Sequence, residues 1–192
     1  MSIPRLILAS SSTYRRELLG RLHLPFQSFA PDVDESTIPS EAPLERARRV
    51  ALAKTAAVIA RHPDATVIGS DQVAVCKGTV LDKPGDANRC REQLQWLSGA
   101  TANFHTAVAI QQSGQTLQFV DTTTVYLRAL DPDEIDRYIA AEQPFDCAGG
   151  FRCEGLGISL FTRIVSEDPT ALIGLPLIAV ARSLRQLGFK VP

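Results

Sequence analysis

The run Leu6-Ile7-Leu8-Ala9 has no polar position, and three serines and a pair of arginines follow it in LILASSSTYRREL. A short apolar run without alternation reads as a buried strand, here Leu6–Ser10. Tyr14–Leu22 reads as a helix, so Ser10, Ser11 and Ser12 sit where a strand hands over to a helix. A helix start leaves backbone N–H groups unpartnered and carries partial positive charge. Small residues there admit an anion, and two arginines add forked donors suited to phosphate. The same residues also fit a plain serine N-cap with solvated arginines. Both readings stay open on this stretch. No GxxxxGK[ST] occurs in the chain, so the junction is not a P-loop.

The rest of the chain continues the alternation. Strands are expected at Phe26–Ala30 and Thr66–Cys76, with a long alanine-rich helix over Leu44–Arg61 between them. A helix at Ala87–Leu97 is followed by two β runs, Thr101–Gln111 and Thr116–Leu127, around the turn signal Ser113-Gly114. A helix over Pro132–Ala141, a glycine-bearing loop to Gly157, a strand over Ile158–Val165 and a helix over Thr170–Leu187 interrupted by Gly174 and Pro176 complete the reading. Early alternation with a central hairpin argues for an α/β fold with a mixed sheet and flanking helices. The length of 192 residues suits one domain over 1–192, with room for two lobes.

Charge narrows the function classes. The formal net charge is -1, and no basic stripe advertises a nucleic acid. No apolar stretch is long enough to span a bilayer, so no membrane role is expected and a cytoplasmic location is the default. Cys76, Cys90, Cys147 and Cys153 lack CxxC spacing, which argues against zinc or dithiol chemistry.

Several residues are poorly explained as structure. Lys54 falls on one helical stripe with Leu44, Ala47, Ala51 and Val58, where it must snorkel, pair or bind something. Asp71 lies inside TVIGSDQVAV, and a buried carboxylate there needs a partner or a metal. Gln72 follows it and in a regular strand faces the other way. Lys83 sits before Pro84, Glu35 in an acidic loop, and Glu154 among glycines. Cations at Arg15, Arg16, Lys54 and Lys83 can hold a polyphosphate. Carboxylates at Glu35 and Asp71 can hold a divalent metal or activate water.

At these residues the sequence resembles the Maf family of nucleotide pyrophosphatases. LASSSTYRRELL, DVDE, ALAKTAA, IGSDQV, LDKP, HTAVAI, CAGGF and GLPL occur in the family's order over nearly the whole chain. The family commonly has Ser-Pro-Arg-Arg where this chain has Ser12-Thr13-Tyr14 before its arginines. The resemblance implies a long curved mixed sheet around a central cleft, similar to inosine triphosphate pyrophosphatases, and a homodimer. It implies hydrolysis of a nucleoside triphosphate to a monophosphate and pyrophosphate, dependent on Mg²⁺ or Mn²⁺ held by Glu35 and Asp71. Asp71 matches the family's proton acceptor, and Arg15, Glu35, Lys54 and Lys83 its other catalytic positions. Ser10, Ser12, Tyr14, Arg16, Gln72 and Glu154 are the expected substrate-binding residues. SDQ and Glu154-Gly155 look like the branch that hydrolyses 7-methyl-GTP, a modified nucleotide removed from the pool. The alternatives are the branch acting on dTTP and UTP, and a nucleotide-binding regulator of cell division.

Overall fold

The computed structural model describes residues 5–192. Strands β1 (Leu6–Ala9), β2 (Phe26–Phe29), β3 (Thr66–Cys76), β4 (Thr79–Leu81), β5 (Thr101–Gln112), β6 (Gln115–Leu127) and β7 (Phe161–Val165) form one sheet. Its order is β2-β1-β3-β5-β6-β7, with β4 paired on β3. β1 runs parallel to β2 and β3, whereas β3–β4 and β6–β7 are antiparallel, so the sheet is mixed. The helices are α1 (Thr13–Gly20), α2 (Pro43–Ile59), α3 (Ala87–Leu97), α4 (Pro132–Glu142) and α5 (Leu177–Gln186).

Two compact units divide the chain. The first takes the residues up to Gln72, Thr106–Asp121 and Asp168–Pro192; the second takes Val73–His105 and Thr122–Glu167. In the first, β1 is buried on both faces, which is why it shows no alternation. Leu6 and Leu8 join Leu18 and Leu19 of α1 and Val180 and Leu184 of α5. Ile7 and Ala9 join Val67 and Val58 on the other side. The β5–β6 hairpin closes through Ser113 and Gly114, both at positive φ, the backbone that a two-residue primed turn requires. In the second unit Phe151 packs edge-on to both Phe104 and Phe161, and α4 opens on a capping box between Asp131 and Glu134. All four cysteines are free thiols.

Three expectations are corrected. Residues 158–160 are not strand: Leu156–Leu160 form a 3-10 turn and β7 begins at Phe161. There the Ser159 hydroxyl returns to the Leu156 carbonyl, and a side chain at Gly157 would strike the Arg152 backbone. Residues 170–176 are not helix either, because Asp168 and Thr170 knot them into a turn and α5 starts at Leu177. β4 was not expected at all: after the Lys77-Gly78 turn it doubles back onto β3.

Candidate active site

Helix α2 carries a small-residue face, with Ala47, Ala51, Lys54, Thr55 and Val58 buried. It meets β3 at Gly69. A Cβ at Gly69 would lie 2.5 Å from the Ala51 carbonyl and 2.9 Å from the Thr55 nitrogen, so only glycine permits this approach. Alternation then puts Asp71, two residues on, on the same face toward α2. The Lys54 ammonium donates to Asp71 Oδ1 at 2.8 Å and to Glu35 Oε2 at 2.9 Å. Lys54 is 5% exposed and Asp71 9%, whereas the Glu35 side chain is 53% exposed. Lys54 therefore pairs rather than snorkels, and its two carboxylates differ sharply in access to solvent.

Glu35 reaches this cluster because α2 holds its loop. Arg46 donates to the Glu35 carbonyl at 3.3 Å and Arg49 to the Ser36 carbonyl at 3.0 Å. Arg49 also forks onto both Glu41 oxygens, at 2.6 and 2.8 Å. That hydrogen-bonded pair draws the Glu41 carboxyl down and pushes the Arg49 guanidinium up. Asp34 accepts from the Ser36 N–H, which holds its carboxyl below the ordinary range.

At the opening junction Ser12 is the N-cap, accepting from the Arg15 N–H at 3.3 Å, and Ser10 accepts from the Ser12 N–H. Arg15 is partly buried and Arg16 exposed. Arg15 Nε donates to the Gly174 carbonyl at 2.9 Å. Burial pulls its guanidinium below the usual arginine value, and the charges of Asp71 and Glu35 oppose that shift. Arg15 thus shares a field with the Lys54 cluster. Tyr14 is partly buried on the same helix.

β3 runs unbroken through Asp71 and Gln72, so the two side chains leave on opposite faces. Gln72 Nε2 lies 2.9 Å from Thr106 Oγ1, 3.0 Å from the Ala171 carbonyl and 3.1 Å from the Leu172 carbonyl. Lys83 is exposed in the second unit, ahead of buried Pro84. Glu154 is exposed in the same unit, 3.9 Å from Arg152 Nε. Among the described residues no three His, Cys, Asp or Glu side chains converge as metal ligands. No helix among them is long and apolar enough to cross a membrane.

Gly69, Asp168 and Arg49 were not singled out from the sequence, and Gly174 was read only as an interruption of a helix. Gly69 had a readable signal, a glycine inside a strand.

The mixed α/β sheet thus carries a buried lysine between two carboxylates, with an arginine in the same electrostatic field. The chain belongs to the family described as Maf-like protein, whose sequence model matches residues 5–187. It is 58% identical over 190 residues to the 7-methyl-GTP pyrophosphatase of Xanthomonas axonopodis pv. citri (strain 306), covering 99% of this chain and 100% of the relative. It is 51% identical over 185 residues to that of Bordetella pertussis (strain Tohama I), covering 96% and 93%. A HAM1 protein from Coxiella burnetii shares the fold, with a TM-score of 0.50 at 15% identity over 95% of this chain and 99% of that one.

Proposed function

We propose that this chain hydrolyses 7-methyl-GTP to 7-methyl-GMP and pyrophosphate. The carrying observation is Lys54 held between Asp71 and Glu35, in a chain 58% identical to a relative bearing that activity as its name. Water attacks the α-phosphorus, the bond to the bridging oxygen breaks, and pyrophosphate leaves. Lys54 occupies Asp71 Oδ1, and Asp71 is assigned as the general base that takes the proton of the attacking water. Arg15, anchored through Nε, turns its terminal nitrogens to the phosphate oxygens. Lys83 is assigned to the departing phosphates, and Ser10, Ser12 and Arg16 to the α1 end of the phosphate site.

Glu35 and Asp71 fit a hard divalent cation, Mg²⁺ or Mn²⁺. Both are carboxylates brought to one ammonium, at 2.9 and 2.8 Å, and hard cations take such oxygen donors together with phosphate oxygens. When bound, the ion neutralises charge on the triphosphate. Since Arg49 holds the backbone next to Glu35, Arg49→Met should raise the Mn²⁺ concentration for half-maximal activity about tenfold. A metal titration of both proteins checks this; an unchanged midpoint removes Arg49 from the metal site.

Base choice is assigned to Tyr14, Gln72 and Glu154. N7-methylation makes guanine cationic, and an aromatic face attracts a cation by about 0.5–2 kcal/mol. Glu154 accepts from the guanine N1–H and exocyclic amine. Gln72, its nitrogen committed within the protein, offers its Oε1. Glu154→Gln should lower the ratio of kcat/KM for 7-methyl-GTP to that for UTP about tenfold, the worth of one charge-assisted bond. A wild-type ratio below one would place the chain in the pyrimidine branch. Pyrophosphate release over a panel of canonical and methylated nucleotides gives both numbers, and release from none of them overturns the proposal.

A further inference from the structure

The turn over residues 168–177 has more internal bonding than its role as a connection to α5 requires. Asp168, 3% exposed, accepts on Oδ1 from the Thr170 N–H at 2.9 Å, with the Thr170 hydroxyl at 2.6 Å. Its Oδ2 accepts from the Ile178 N–H at 2.6 Å. The Thr170 hydroxyl lies 2.8 Å from the Leu175 carbonyl and accepts from the Leu177 N–H at 2.8 Å.

This knot points a row of carbonyls at β3 and α1. Ala171 and Leu172 receive Gln72, and Ala171 also receives the buried Thr106 hydroxyl at 3.0 Å. Gly174 receives two donors on one oxygen, Arg15 Nε at 2.9 Å and the buried Ser70 hydroxyl at 3.0 Å. Ser70 and Gln72 lie two apart on β3, on the face opposite Asp71. One strand therefore holds the proposed base on one side and this turn on the other. Gly174 has φ +124°, a conformation that favours glycine, and a Cβ there would come within 3.3 Å of Arg15 Nε.

We infer that Gly174, fixed by Ser70 and by the Asp168–Thr170 knot, is a positioning residue that acts on the reaction through Arg15. A guanidinium held only by its Cα sweeps a wide arc. With Nε tied to a fixed carbonyl its plane is set, and the two terminal nitrogens face one direction as a fork. The kinetic part of this inference rests on the pyrophosphatase reading above; the geometric part does not.

The test uses the full chain with ¹⁵N-labelled arginine. Solvent exchange of the Arg15 Nε–H is measured in the wild type, Gly174→Ala and Ser70→Ala, with Arg15→Lys assigning the signal. Exchange should be slow in the wild type and faster in both variants. In kinetics, Gly174→Ala should lower kcat/KM about 10²-fold, the scale of an ångström's misplacement of a catalytic group. Ser70→Ala should lower it less. In the Arg15→Lys background, which lacks Nε–H, neither change should cost more than about twofold further. Losses equal in both backgrounds, or Arg15 exchange unchanged by both variants, overturn the inference. If Gly174→Ala does not fold, the Ser70→Ala cycle decides. If no nucleotide releases pyrophosphate from the wild type, the proposed function fails, and the exchange rates still decide the positioning.

Discussion

Asp71→Asn should lower kcat for pyrophosphate release by about 10²–10⁴-fold, the usual worth of a general base. Asparagine has nearly the shape of aspartate, and its Oδ1 still accepts from Lys54, so the bond at 2.8 Å has a successor. The amide cannot take a proton from water or serve as a charged metal ligand. Among the described residues Lys54, 5% exposed, then keeps its ion pair with Glu35, whose side chain is half in solvent. Stability should therefore fall too, by about 1–3 kcal/mol for one weakened buried charged bond. For a chain of this size that is a few degrees in Tm per kcal/mol. A steady-state assay and a thermal melt separate the two effects. Turnover within a few-fold of wild type removes Asp71 from the chemistry. A variant that no longer melts cooperatively shows instead that the carboxylate is structural.

The parts of this molecule that were legible in its sequence are those set by local pattern. The unbroken apolar run of β1 announced burial on both faces, and both faces are packed. Lys54 was conspicuous because it interrupts an apolar stripe, and Asp71 because it is a carboxylate inside a largely apolar strand; each proves to be the other's partner. The roles of Glu35 and Arg15 are set by tertiary contacts. Glu35 is delivered by arginines that lie eleven and fourteen residues further on, in α2. The Arg15 side chain is anchored by a carbonyl 159 residues away. Neither relation leaves a periodic trace. The turn at 168–177 was misread for a physical reason. Ala171, Leu172, Leu175 and Leu177 are apolar and buried, which helical spacing also produces. Side-chain bonds from Asp168 and Thr170 to the backbone decide the contest in favour of the turn. Gln72 was read as facing away from Asp71 in a regular strand, and on that face its nitrogen lies within hydrogen-bonding distance of Thr106 and of the Ala171 and Leu172 carbonyls.

Gly69→Ala should be the most damaging substitution away from the reacting groups. The added Cβ would meet the Ala51 carbonyl at 2.5 Å, the Thr55 nitrogen at 2.9 Å and the Thr55 hydroxyl closer still. Two of these three are backbone atoms of α2, so no rotamer change relieves them and the helix must move off the sheet. Overpacking of this kind costs about 1–3 kcal/mol. The displacement also falls on the segment that carries Lys54. An ångström's retreat would stretch its 2.8 Å bond to Asp71 beyond hydrogen-bonding range. Loss of kcat/KM should accordingly reach about 10²-fold, more than the stability change alone implies. Adding Thr55→Ala to Gly69→Ala removes the hydroxyl but should restore little, because the Ala51 carbonyl and the Thr55 nitrogen remain in the way. Gly20→Ala is the matched control: its Cβ would meet nothing within 4 Å, and both Tm and kcat/KM should stay at or slightly above wild type. Thermal melts and pyrophosphate release on the four proteins decide the matter. If Gly69→Ala keeps wild-type kcat/KM, the close approach of α2 to β3 is not what sets the Lys54–Asp71 pair.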